Sequence, residues 1–241
     1  MSISKIIVSV VTHGHAEMVQ SLFNDLDQII LPDLEVVLTH NIGRENINTK
    51  NFKYNIINII NKSPKGFGEN HNYVAKNFKS KYFFVLNPDL RIPKDFIFNN
   101  LTTLLDKPDV GVCSPLVFNK SNQWEDHARL YPTFSRIFKR YFFKNKEYDY
   151  KCPSVIPIDV DWCAGMFLGF MSKRFNQFNG FNEKYFMYCE DADICRNFRN
   201  GGFRVLVQPS TKVYHHAQRK SRRNLQHLYY HLSSLLRFWH R

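Results

Sequence analysis

The chain has 241 residues, 44% hydrophobic and 22% charged, which suits one globular domain with a substantial core. Thirty-three Lys and Arg against 21 Asp and Glu leave a net charge of +12, and no Asp or Glu follows Asp193; such a balance favours phosphorylated small molecules, anionic lipid or nucleic acid as partners. Five scattered cysteines without a Cys-x-x-Cys pair argue against a disulfide framework and a zinc ribbon. Apolar runs far short of the ~20 residues of a membrane span, and a start unlike a leader peptide, predict a reduced, cytoplasmic protein.

Residues 5–11 form a β-branched run suited to a buried parallel strand. Residues 15–30 place Val19, Leu22, Phe23, Leu26, Ile29 and Ile30 on one helical face. Strands are expected at 34–38, 56–60, 82–86 and 110–117, with a helix at 69–78 and another opened by Pro93 and running to about Leu105. This alternation predicts an α/β fold, an open and mostly parallel sheet with helices on both faces, whose ligands sit beyond the carboxyl ends of the strands. The loops at Thr12, His40, Asn87 and Ser114 are therefore where a site is expected.

Residues 1–118 make up this first half. From 119 to 157 the pattern breaks into an aromatic, basic insertion. Phe134, Ile137, Phe138 and Tyr141 share one helical face there, with Arg136, Lys139 and Arg140 largely on another. That helix either packs on the core or lies at an interface. Patterning resumes over 158–222, with a helix at 191–200 ended by Gly201-Gly202 and a strand at 203–207. Residues 223–241 carry Leu225, Leu228, Tyr229, Leu232, Leu235, Leu236 and Trp239 at helical spacing, which predicts an amphipathic helix.

Four segments hold residue types that carry chemistry. Leu86-Asn87-Pro88-Asp89 ends a strand in a carboxylate, which can hold Mg²⁺ or Mn²⁺ against a diphosphate; the same residues also suit a plain turn. Glu190-Asp191-Ala192-Asp193 precedes a helix and offers either a general base or first-turn acids that complement the helix dipole. Lys65-Gly66-Phe67-Gly68 leads into a helix, so its glycines allow close backbone approach to a ligand, although the third glycine of the dinucleotide fingerprint is missing. His215-His216, followed by Arg219, Lys220, Arg222 and Arg223, can place an imidazole on a metal and cations on a diphosphate, or can be structural.

Taken together and in this order, the segments resemble the inverting glycosyltransferases of family 2, which have the GT-A fold. The most specific stretches are Val160-Asp161-Trp162-Cys163-Ala164-Gly165-Met166-Phe167 and Asn179-Gly180-Phe181-Asn182-Glu183-Lys184-Tyr185-Phe186-Met187-Tyr188-Cys189-Glu190-Asp191. With Thr12-His13-Gly14-His15 and Gly66-Phe67-Gly68 they are similar to rhamnosyltransferases of bacterial O-antigen and related surface polysaccharides.

The resemblance implies Asp89 as metal ligand with His215, Asp191 as catalytic base, and Glu190 beside the acceptor. It implies donor contacts from Thr12, His13, Asn41, Gly66, Phe67, Gly68, Asn72, Asn87 and Pro88, and diphosphate contacts from Arg219, Lys220 and Arg222. Asp161, Trp162, Cys163, Ala164 and Gly165 would form the acceptor wall. Implied partners are dTDP-β-L-rhamnose, a saccharide on a polyprenyl diphosphate, and the inner face of the cytoplasmic membrane, where the chain would be peripheral. Where relatives carry Asp-Asn after the second strand this chain has His40-Asn41, which leaves the base of the donor open. Net charge and interleaved aromatics also fit a nucleic-acid-binding protein. That reading leaves the Asn-Pro-Asp and Glu-Asp segments without purpose, so no nucleic acid is expected.

Overall fold

A computed structural model describes residues 6–29, 31, 33–142, 149–150, 155–216 and 225–240. The chain order is β1 (Ile6–Thr12), α1 (Ala16–Asp27), β2 (Leu34–His40), β3 (Asn55–Ile60), α2 (Phe67–Asn77), β4 (Tyr82–Leu86), β5 (Leu90–Arg91), α3 (Phe98–Leu105) and β6 (Val110–Asn119). It continues with β7 (Ala128–Arg129), α4 (Phe134–Phe142), β8 (Ile158–Asp159), β9 (Trp162–Cys163), β10 (Phe167–Met171), α5 (Ser172–Gln177), α6 (Glu190–Asn200), β11 (Arg204–His215) and α7 (Leu225–Trp239). Nine strands form one sheet in the order β3-β2-β1-β4-β10-β6-β11-β5, with β8 beside β11; β7 and β9 pair separately. Strands β3, β2, β1 and β4 are parallel, while β10 runs antiparallel between β4 and β6.

The apolar runs explain the layering. Side chains alternate across a strand, so Ile6, Val8 and Val10 of β1 join Tyr82, Phe84 and Leu86 of β4 under α1 and α3. Ile7, Phe83 and Val85 point to the opposite layer, packed with residues of α2, α5, α6 and α7. Both faces are covered, and every residue of β1 and β4 is buried. At Gly169 of β10 an added Cβ would stand 2.5 Å from Phe84 Cε1, so the aromatic layer requires glycine there.

Two boundaries differ most from expectation. Pro93 opens a turn, closed by the Phe96 N–H on the Pro93 carbonyl at 3.0 Å, and α3 begins only at Phe98. The turn drives Phe96 into the core, edge-on to Phe98 at 4.9 Å. Strand β11 does not stop at residue 207 but continues to His215 through a register shift between Gln208 and Lys212. Pro209 lies within that shift, where its missing N–H interrupts the ladder without ending the strand.

Candidate active site

Strand pairing builds the Asp89 end. The chain turns at Pro88-Asp89, with the Leu90 N–H on the Asn87 carbonyl at 3.3 Å, and β5 then pairs with β11 in the register Leu90↔His215. This sets His215 Nε2 3.1 Å from Asp89 Oδ2, while its Nδ1 lies 2.6 Å from Glu125 Oε2. Burial works against charge on His215, but hydrogen bonds to Asp89 and Glu125 outweigh it and raise its pKa to about 9. The two carboxylates thus favour the protonated form of the ring.

Asp89 Oδ1 is buried with no hydrogen-bond partner among the described residues. An orphaned carboxylate oxygen at the sheet's carboxyl edge fits a divalent cation. His215, expected at the metal with Asp89, lies within hydrogen-bond reach of Asp89 Oδ2 and Glu125 Oε2. Among the described residues no group of three or more His, Cys, Asp or Glu side chains is disposed to hold a metal. The expected diphosphate cations Arg219, Lys220 and Arg222 lie outside the described residues.

The Asp191 end is built by backbone. Asp191 Oδ2 accepts from the Gly165 N–H at 2.9 Å and Oδ1 from the Ala192 N–H at 2.8 Å. Burial raises its pKa, with those amides and Arg129 pulling the other way. Glu190 is more deeply placed, 5% exposed, with Oε2 unpartnered among the described residues; burial and then the Asp191 charge push its pKa well up. Asp191 is the less buried of the two, its oxygens facing the Gly165 and Ala192 amides. One backbone segment joins the two ends: Gly165 donates to Asp191, and the carbonyl of Met166 accepts from the Asn87 N–H at 2.9 Å.

The glycines around this segment are explained by packing. A Cβ on Gly165 would lie 3.2 Å from Phe67 Cζ and 3.6 Å from Asp191 Cβ, one on Gly68 2.6 Å from Phe181 Cβ, and one on Gly66 3.0 Å from the Phe186 carbonyl. The Phe67 N–H, expected to be free for a ligand, donates to that Phe186 carbonyl at 2.9 Å. Gly66 and Gly68 therefore seat the 181–186 loop on α2. Asn72 serves the same loop, bonding Phe181 through both ends of its amide and Glu183 Oε1 at 2.9 Å.

On the nucleotide side, Asn41 is buried. Its amide reaches His13 Nε2 at 2.6 Å and both the carbonyl and the N–H of Lys65 at 2.9 Å, with Asn61 and Asn70 completing the network. Thr12 turns its hydroxyl back to the His15 N–H. The side chains of Asn41 and Thr12 shape the loop, and His13 is exposed at its edge. Of the acceptor wall, Trp162 bonds the Leu130 carbonyl, Cys163 is wholly buried, and Asp161 accepts from the Tyr131 N–H. Trp162 and Asp161 hold the 130–131 segment and Cys163 pairs with Ala128, while Gly165 lies beside Phe67 and Asp191.

Glu125, Arg129 and Glu45 were not anticipated. Residues 119–131, read as the start of an insertion, fold back so that Ala128 pairs with Cys163 and Arg129 with Trp162. Arg129 Nε bonds the Asp126 carbonyl at 2.7 Å, and its guanidinium lies over the Trp162 ring in the field of Asp191, Asp149 and Glu125. Glu45 Oε1 accepts from the Gly14 N–H at 2.9 Å, while Oε2 is buried without a partner among the described residues. A pairing two residues long leaves no periodic signal. The acidic Trp124-Glu125-Asp126-His127 run just beyond the Ser114 loop was the available clue.

A sheet with this strand order, carrying an acid beyond its β4 edge and a second acid at the head of α6, has the GT-A architecture of glycosyltransferases. The Glycosyl transferase family 2 model matches residues 8–175, most of the chain, and the chain belongs to that family. It is 26% identical over 253 residues to rhamnosyltransferase WbbL of Escherichia coli (strain K12), covering 96% of this chain and 91% of that protein. It is also 26% identical over 165 residues to N-acetylglucosaminyl-diphospho-decaprenol L-rhamnosyltransferase of Mycobacterium tuberculosis, with 65% of this chain and 54% of the relative aligned. Among solved structures, GalNAc-T7 with UDP, GalNAc and Mn²⁺ matches with a TM-score of 0.67 at 13% identity, over 91% of this chain and 44% of that one. The mannosyltransferase PcManGT of Pyrobaculum calidifontis, with GDP-Man and Mn²⁺, matches at 0.62 and 14% identity, over 98% and 65%. These structural likenesses concern the fold.

Proposed function

We propose that the chain is an inverting transferase that moves L-rhamnose from dTDP-β-L-rhamnose to a saccharide on a polyprenyl diphosphate, as a peripheral protein at the inner face of the cytoplasmic membrane. Surface-polysaccharide synthesis, O-antigen or capsule, is the proposed setting. The observation that carries the reaction class is Asp191, a partly buried carboxylate aimed by two backbone amides and sharing the 164–166 segment with the Asp89 turn. The sugar and the lipid carrier are supported by what the Escherichia coli and Mycobacterium tuberculosis relatives are named for. Membrane association is supported by the acid-free basic sequence after Asp193; no helix among the described residues is long and apolar enough to cross a membrane.

In the proposed reaction Asp191 removes the proton of the acceptor hydroxyl, whose oxygen attacks the anomeric carbon while the nucleoside diphosphate leaves from the opposite face. Mg²⁺ or Mn²⁺ held by Asp89 would supply neutralising charge for the leaving diphosphate. Phe67 and Gly165 form the floor beside Asp191, and Arg129 keeps a positive charge near the carboxylates. Holding two substrates in register supplies much of the rate gain.

Thermal shifts with a panel of sugar nucleotides, each with Mg²⁺ and with Mn²⁺, test the donor. A ligand at about 100 times its Kd adds about 2.7 kcal/mol to apparent stability. dTDP-rhamnose is expected to stabilise most. Preference for a UDP-hexose or UDP-galactofuranose would overturn the sugar and keep the class; no response to any sugar nucleotide would overturn both.

A further inference from the structure

Helix α7 grips the loop before the catalytic base one residue at a time. The Lys184 carbonyl accepts from Arg237, and the Arg237 guanidinium lies 5.6 Å from the centre of the Tyr185 ring. Phe186 packs on Tyr230 at 4.8 Å, and the Met187 carbonyl accepts from Ser234 Oγ at 2.8 Å. The Tyr188 hydroxyl lies 2.8 Å from His227 Nδ1, with its ring against His231 at 5.3 Å. Five successive residues are held by one helix, and the next two are Glu190's immediate neighbour Cys189 and Glu190 itself.

The loop needs holding. Tyr188 and Cys189 adopt φ of 71° and 63°, a left-handed conformation that residues with a Cβ populate rarely and keep only when their surroundings impose it. Asp191 follows two residues after Cys189, and its bond to the Gly165 amide depends on where this turn delivers it.

The opposite face of α7 is apolar and open. Leu225, Tyr229, Leu232 and Leu236 are 83%, 68%, 53% and 54% exposed, at helical spacing, while Ser234, Leu235 and Phe238 are buried against the protein. At the helix's far end Trp239 meets the ring of Phe134, itself 70% exposed, at 5.7 Å, so α4 extends the same surface. The charge around it suits one partner. No acid occurs after Asp193, and Arg219, Lys220, Arg222 and Arg223 precede the helix in sequence. An apolar helical face preceded in sequence by a run of cations matches the acyl and headgroup layers of an anionic bilayer.

We propose that the outer face of α7, with Phe134, seats on an anionic lipid surface, and that the seated helix holds residues 184–191 in their catalytic conformation, so that transfer is faster on a membrane than in solution. The rate part rests on the transferase reading above; the binding and loop-ordering parts do not. His227, His231, Ser234 and Tyr230 are positioning residues, acting on the base through the loop.

The full chain is mixed with vesicles of phosphatidylcholine, with or without phosphatidylglycerol. Sedimentation, amide hydrogen exchange over 185–191, and turnover on a water-soluble short-chain acceptor are then read. Binding is expected only to the anionic vesicles, with exchange slowed and kcat raised, each at least several-fold, and little change in donor KM. Leu232→Glu with Leu236→Glu, on the solvent face, loses the binding and both responses. Tyr188→Phe keeps vesicle binding and loses the slowed exchange and the rise in kcat. Equal binding to neutral vesicles, binding that leaves exchange at 185–191 unchanged, or a concentration-dependent dimer abolished by the double Glu variant would each overturn the proposal. If no condition yields transfer, the transferase reading fails, while sedimentation and exchange still judge the helix.

Discussion

Asp89 and Asp191 border the same short segment and are held by opposite means. Asp89 is countered by a fixed cation, the His215 imidazolium, which itself leans on Glu125. Among the described residues no side-chain cation is bonded to Asp191; two amides orient it, and burial raises its pKa. A carboxylate already neutralised by a neighbour is a poor proton acceptor and a good anchor, whereas a desolvated carboxylate aimed by amides is suited to take a proton. The histidines beneath follow the same division. His71, under the Phe67 ring, and His127, whose carbonyl accepts from the Ala164 N–H, are buried and neutral on the Asp191 side.

The largest effect should separate the two acids. Asp191→Asn is expected to lower kcat by about 10²–10⁴-fold, the usual worth of a general base, while sugar-nucleotide thermal shifts persist. Asp89→Asn should instead lose the Mg²⁺- or Mn²⁺-dependent part of those shifts. Parallel kinetics and thermal shifts on both variants are the check; identical signatures would remove the division of labour.

Gly165→Ala should come next. The new Cβ stands 3.2 Å from Phe67 and 3.6 Å from Asp191 Cβ, tighter than the first neighbour accepts without moving. Misplacement of a catalytic group on the scale of 1 Å costs about 10²-fold. A loss of that order in kcat, with the urea midpoint shifted modestly, is expected. A variant as active as the parent would show that the glycine serves packing alone.

The half of the site that was legible in the sequence lies where periodicity is long. The apolar runs of β1 and β4 announce buried parallel strands, and a carboxylate just past β4 then falls at the sheet edge by geometry. Glu125 and Arg129 were hidden because they reach the site through β7 and β9, two residues each, within a stretch lacking either period. Gly66 and Gly68 illustrate a different limit. Glycine signals that something approaches the backbone closely, and here Phe186 and Phe181 do so. Likewise, the strand expected to end at residue 207 in fact bulges and runs on to His215.

The mildest test uses pH, because the two sets of histidines titrate in opposite senses. Burial lowers the pKa of His71 to about 3 and of His127 to about 4, below the ordinary 6.5, so the unfolded chain binds protons that the folded one refuses. Stability from these two is complete above pH 6.5 and declines on acidification toward 4 and 3, by about 1.4 kcal/mol per pH unit for each proton taken up. His215 works the other way. Its pKa of about 9 means that the folded chain keeps a proton the unfolded one releases, so its contribution is complete below 6.5 and disappears as pH rises through 9. Urea unfolding at pH 5, 6.5 and 8.5 should therefore give the highest midpoint near 6.5, with Glu125→Gln flattening the alkaline limb because it removes one of the two carboxylates that sustain the imidazolium. A midpoint that climbs steadily from pH 5 to 8.5 would mean that His215 is neutral, and Asp89 would then lack the cation that distinguishes it from Asp191.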